Sequence, residues 1–124
     1  MKARIQSEGH GRKTAVEACD EPCAIERGMR VFGGKWTASI LWHLKDEPVR
    51  FNDLSRMVAG ASKKMIAERL RHLESHGLVR REVLTTRPLG VAYAITLRGE
   101  GALRFLEELR RWSDAELPEA PSTG

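Results

Sequence analysis

The chain has 124 residues, 41% of them hydrophobic and 31% charged, with 21 Lys and Arg against 17 Asp and Glu and a formal charge of +4. That length allows one domain with a true core, and that balance excludes a disordered tail. No apolar run reaches the roughly 18 residues that span a bilayer, so no membrane partner is expected.

In chain order, residues 1–22 mix Gly, Ser, His and charges without apolar periodicity and read as a mobile arm. They hold no apolar leader segment, which points to a cytoplasmic protein. Residues 23–32 predict a short helix stopped by Gly33-Gly34. Trp36, Ile40, Leu41 and Leu44 recur at helical spacing, so a second helix is expected over 35–45, ended by Glu47-Pro48. Arg50-Phe51 reads as extended, and Asn52 as the N-cap of a helix over 53–58. Ala59-Gly60-Ala61 makes a turn. Ser62 caps the next helix, on which Ile66, Leu70 and Leu73 form a narrow apolar stripe, and Gly77 suits its left-handed end. Two runs rich in Val, Leu, Tyr and Thr, 78–84 and 91–97, flank the turn residues 85–90 and predict an antiparallel hairpin. Thr96 then caps a last helix over 98–116, and residues 118–124, with two prolines, fray.

This order places the chain in the α+β class, mainly α. It is that of a winged helix-turn-helix over 23–117, with added helices at either end. Charge follows the same map. Residues 50–87 hold nine basic against four acidic side chains, a net +5, while 1–22 are neutral and 88–117 slightly acidic. The whole excess sits on the predicted helix-turn-helix and hairpin, which points to double-stranded DNA as partner.

On a helical wheel Lys64, Glu68 and Arg71 fall opposite the apolar stripe, with Lys63 and Ala67 on the flank. The second helix of such a motif offers its N-terminal residues to base edges. Ser62, Lys63 and Lys64 occupy that end, where free backbone N–H groups also suit a phosphate. Arg71 can pair with guanine, Glu68 can accept from cytosine, and Ala67 permits close approach. The same residues also suit an ordinary solvated face laced with weak Lys64–Glu68 and Glu68–Arg71 pairs. Arg80 and Arg81 are neighbours on a strand, so only one of them faces DNA, and Arg80 is the expected contact. Arg87 at the hairpin tip is either a minor-groove or phosphate contact or a solvated loop residue. Arg50 and Asn52 are further phosphate candidates.

Cys23-Ala-Ile-Glu, Gly33-Gly34-Lys35-Trp36 and Ile40-Leu41-Trp42-His43-Leu44 resemble the opening of the HxlR-type transcriptional regulators. Arg50-Phe51-Asn52-Asp53-Leu54, Ser62-Lys63-Lys64-Met65-Ile66 and Leu70-Arg71-His72-Leu73-Glu74 with Gly77-Leu78-Val79 continue the likeness, and Tyr93-Ala94-Ile95-Thr96-Leu97-Arg98-Gly99 closes it. The resemblance implies a bacterial DNA-binding homodimer, similar in shape to MarR-type regulators, reading a pseudo-palindromic operator. It also implies a dimer interface on the first and last helices, here Ile25, Met29, Phe105, Leu106, Leu109 and Trp112. A simple intramolecular core is the other use for these residues. The family's usual Pro after the cysteine is Ala24 here, and its usual Glu before the wing tyrosine is Ala92.

Cys23 matches a cysteine that senses oxidants or electrophiles in some such regulators, and Cys19 is an additional thiol. A small oxidant or electrophile is therefore a candidate partner, beside a purely packing role for Cys23. His10, His43, His72 and His76 lack metal-ligand spacing with these cysteines, so neither metal nor other cofactor is expected. Phosphate-loop, GxSxG and HExxH patterns are absent, and Gly33-Gly34-Lys35 lacks the first glycine of a phosphate loop. The sequence does not read as an enzyme.

Overall fold

The computed structural model describes residues 23–119. The expected arm over 1–22, with Cys19, and the end of the tail lie outside these. The chain divides into two compact units, Met1–Arg30 and Val31–Gly124. Helix α1, Ala24–Phe32, belongs mostly to the first, and none of its residues is buried. The second unit contains, in order, α2 (Thr37–His43), β1 (Val49–Arg50), α3 (Phe51–Met57), α4 (Lys63–Ser75), β2 (Val79–Leu84), β3 (Gly90–Ile95) and α5 (Leu97–Glu116). This is the winged helix-turn-helix that the pattern predicts.

The sheet is antiparallel with order β1-β3-β2, so the hairpin is extended by the short strand before α3. Its register sets Val79 opposite Ile95, Arg81 opposite Tyr93 and Leu84 opposite Gly90, while β1 places Val49 opposite Tyr93. The core is assembled from the apolar stripes: Ile40, Leu41 and Leu44 of α2 and its end, Leu54 and Val58 around α3, and Ile66, Leu70 and Leu73 of α4. Val79, Tyr93 and Leu106 close it from the sheet and α5. No described helix is long and apolar enough to cross a membrane.

Two caps and one glycine fix the helix boundaries as expected. Ser62 Oγ accepts from the Met65 N–H at 3.1 Å and Thr96 Oγ1 from the Gly99 N–H at 3.1 Å, each satisfying a donor that the first turn leaves open. Gly77 ends α4 at φ +79°, a conformation that L side chains resist. Gly99 is required for a different reason. A Cβ there would collide with the Leu78 carbonyl oxygen, so only glycine lets α5 start this close to β2.

Three boundaries differ from the expectation. The second helix starts at Thr37, because Trp36 turns left-handed at φ 79°. Asn52 is not an N-cap: α3 already begins at Phe51, behind an extended Arg50, and Asn52 lies inside its first turn. Leu97 opens α5 instead of ending a strand, since the cap at Thr96 stops the extended run. Leu106, expected at the dimer interface, is 6% exposed and belongs to the chain's own core. Residues 102, 103 and 106 pack on the inward face of α5, and Leu106 also lines the floor of a shallow apolar groove beside Leu109.

Candidate nucleic-acid interface

The helix-turn-helix pairs α3 with α4 through the turn Ala59-Gly60-Ala61, in which Gly60 takes φ +93°. The narrow stripe Ile66, Leu70 and Leu73 is wholly buried, which dictates what the rest of α4 must do. With one face sunk in the core, the residues a half-turn away are held outward. Ser62, Lys63, Lys64 and Arg71 are exposed, and Ala67 and Glu68 are half-buried on the flank. Among the described residues no salt bridge engages Lys63, Lys64, Glu68 or Arg71. The Lys64–Glu68 and Glu68–Arg71 pairs that the spacing permits do not form. The cations at the start of this helix are therefore unneutralised, as an anion-binding surface requires.

The hairpin divides its adjacent arginines. Arg80 donates through Nε to Glu82 at 3.0 Å, forms a salt bridge with it at 2.9 Å, and reaches the Ile95 carbonyl at 3.4 Å. It shares a groove with Lys45, Asp46, Glu47 and Glu100, a setting of mixed charge. Arg81 points elsewhere, into a hollow of about 270 Å³ with Arg50, Asn52, Leu89 and Gly90. Arg80, the expected DNA contact, is thus engaged with Glu82, while Arg81 lies on the other strand face beside Arg50 and Asn52. Strand alternation held the signal: residues 80 and 82 share a face, so an Arg and a Glu there neutralise each other.

Arg50 has a structural duty as well. Its guanidinium donates to the Pro88 carbonyl at 2.9 Å and ties the hairpin tip to the start of α3. Arg87, next to that tie, is exposed. One contact set was not foreseen: Arg69 Nε donates to the Lys35 carbonyl at 2.8 Å and His72 Nε2 to the Val31 carbonyl at 3.1 Å. Neither partner is visible in sequence, because both acceptors are backbone groups more than 30 residues away.

The last helix has the opposite character. Phe105, Leu109 and Trp112 stay 43–54% exposed, and Leu109 borders a shallow apolar groove of about 350 Å³ with Ala38, Trp42 and Leu106. Between residues 107 and 114 its charges pair within the helix. Glu107 accepts from Arg110 and Arg111, and Asp114 accepts from Arg110. The hydrogen bonds from Arg110 first, then Arg111, hold the Glu107 carboxyl down at about 2, and Glu107 raises Arg110 in return. In the first unit, Ile25, Met29 and Cys23 are exposed on or beside α1.

An exposed, cationic second helix beside a two-stranded wing defines a winged-helix DNA-binding protein. The family model described as HxlR-like helix-turn-helix matches residues 31–121. The chain belongs to that family and is a transcriptional regulator, not an enzyme. It is 33% identical over 90 residues to the HTH-type transcriptional regulator YodB of Bacillus subtilis, covering 73% of this chain and 80% of YodB. The reduced form of YodB superposes with TM-score 0.69, at 32% identity and with 77% of this chain and 93% of YodB covered. YodB is also known in quinone-bound and diamide-treated forms. A MarR-family regulator from Porphyromonas gingivalis W83 superposes at TM-score 0.74 with 30% identity, over 86% of this chain and all of the other. The oxidised form of the redox regulator HypR gives TM-score 0.70 at 31% identity, over 76% and 97%.

Proposed function

We propose that the protein is a sequence-specific regulator that binds a pseudo-palindromic operator as a homodimer. Helix α4 enters the major groove, with Ser62, Lys63, Lys64, Ala67, Glu68 and Arg71 toward the DNA. Arg50, Asn52, Arg81 and Arg87 contact the backbone or minor groove from the wing side. The observation that carries this is the unpaired, exposed cationic start of a helix whose other face is fully buried. Two chains are needed because each offers one such helix, and two helices about one DNA turn apart read two half-sites. The exposed apolar residues Phe105, Leu109 and Trp112 supply an interface, with Ile25 and Met29. An electrophoretic shift on the protein's own promoter tests the reading. Lys64→Ala with Arg71→Ala should weaken the shift at least tenfold and relax sequence preference. Unchanged affinity and preference would remove α4 from the interface.

A second reading concerns the signal. Cys23 is an exposed free thiol, and the relatives YodB and HypR are known in quinone-bound, diamide-treated or oxidised forms. Cys23 here serves as an oxidant or electrophile sensor that sets operator affinity. Operator binding by wild type, but not by Cys23→Ser, should respond to diamide or a quinone. An identical response in both would reduce Cys23 to packing.

A further inference from the structure

We propose that the end of α1 and the connector to α2, residues 31–37, are the seat on which the recognition helix is aimed, with Arg69 and Trp36 as positioning residues that do not touch DNA. This rests on the reading of α4 as the DNA-reading helix. A recognition helix must hold its angle and depth to within a fraction of an ångström, and its buried stripe alone leaves freedom to rock about its long axis. Three polar and aromatic contacts from the connector remove that freedom.

First, Arg69 reaches back from α4 and donates Nε to the Lys35 carbonyl at 2.8 Å. Second, one turn further along, His72 Nε2 donates to the Val31 carbonyl at 3.1 Å. Residues three apart lie on the same side of a helix, so the two bonds form a pair of stays along one edge of α4. Both acceptors sit at or after the last turn of α1, where helix carbonyls lack intrahelical donors. Third, Trp36 lays its ring against Gly60 in the turn that launches α4; a Cβ at Gly60 would stand 3.2 Å from the ring edge. Trp36 holds φ 79°, a conformation that a bulky residue keeps only where its surroundings over-determine it. The Lys35 ammonium covers the ring at 4.8 Å from its centroid. The connector thus grips both the turn before the helix and the middle of the helix itself.

Gly34 shows how closely this seat is fitted. A Cβ at this position would stand 3.2 Å from Arg69 Cζ and Nε and 3.2 Å from Thr37 Oγ1. Thr37 is 1% exposed, and among the described residues its hydroxyl has no hydrogen-bond partner. The arginine therefore lies over a tight floor, and the absence of a side chain at 34 is what admits it. Gly34→Ala consequently shifts the Arg69 guanidinium without altering any charge, which separates position from electrostatics.

The test compares Gly34→Ala, Arg69→Gln and Lys64→Ala in the full chain. Each is titrated against a duplex of the protein's own promoter and a scrambled duplex of equal length, over a salt series, with thermal melting as a check on folding. Positioning predicts that Gly34→Ala and Arg69→Gln lose about tenfold on the promoter duplex. Affinity for the scrambled duplex and the salt slope should stay at wild-type values. Lys64→Ala should weaken both duplexes and flatten the slope, as loss of a phosphate contact does. If Arg69→Gln flattens the slope while Gly34→Ala is silent, Arg69 is itself a phosphate ligand and the proposal is overturned. Promoter affinity unchanged in both connector variants overturns it equally. If wild type shows no promoter preference and Lys64→Ala is also silent, the failure is that of the DNA-binding reading, and the seat falls with it.

Discussion

Helices α4 and α5 draw on similar residues and use them in opposite ways. In α4 the apolar side chains Ile66, Leu70 and Leu73 are all buried, while Lys63, Lys64 and Arg71 stand exposed without ion pairs. In the second half of α5 the charges of residues 107–114 are paired among themselves, Glu107 with Arg110 and Arg111 and Asp114 with Arg110. There it is Phe105, Leu109 and Trp112 that remain in solvent. A helix that satisfies its apolar face and leaves its cations open is built for an anionic, hydrated partner. A helix that satisfies its charges and leaves its apolar face open is built for another apolar surface. The contrast supports the proposed reading, in which DNA meets one helix and a second copy of the chain meets the other.

That contrast can be broken by experiment. Leu70→Ala, at a site with no exposure, should cost about 2–5 kcal/mol of stability in urea unfolding, because a buried leucine leaves a cavity. A cost below about 1 kcal/mol would mean that α4 is not anchored as described. Leu109→Asp with Trp112→Asp should spare the fold, turn the dimer into a monomer by light scattering, and lower promoter affinity by about a hundredfold as the second half-site is lost. A dimer that survives both changes would move the interface off α5. The smallest effect belongs to the paired charges. Glu107 is depressed to about 2 by Arg110 and Arg111, so its contribution to stability is present above the ordinary carboxylate value of 4.5 and fades as pH falls toward about 2. Glu107→Gln should be slightly less stable than wild type at neutral pH, with the difference vanishing in strong acid. A difference that persists there would show that packing, not charge, is lost.

Much of this was legible in the sequence because it depends on period and on caps. The stripe Ile66, Leu70, Leu73, the caps Ser62 and Thr96, and the stop at Gly77 are local signals, and local geometry obeys them. The cluster of positive charge over 50–87 is likewise read directly from the sequence and falls on the helix-turn-helix and hairpin. What escaped depends on contacts distant in sequence. Trp36 sits in a helical pattern, yet it turns left-handed just before the helix and its ring lies against Gly60, a contact 24 residues away. Asn52 looks like a cap because of its chemistry, but the chain enters α3 one residue earlier. That Arg80 pairs with Glu82 depends on which strand face carries Glu82, and that Leu106 packs inward depends on where α5 meets the helices and sheet. Arg69 and His72 answer backbone carbonyls, which carry no letter in a sequence.

The central claim, that the unpaired cations of α4 and the wing bind DNA, is tested most directly by one titration. Affinity for a duplex of the protein's own promoter is measured from about 50 to about 200 mM salt, for wild type and for Lys64→Ala with Arg71→Ala. Roughly six phosphate contacts per dimer predict a slope of about −5 in log affinity against log salt, reduced in the variant. A flat dependence, or an identical slope in the two proteins, would contradict it.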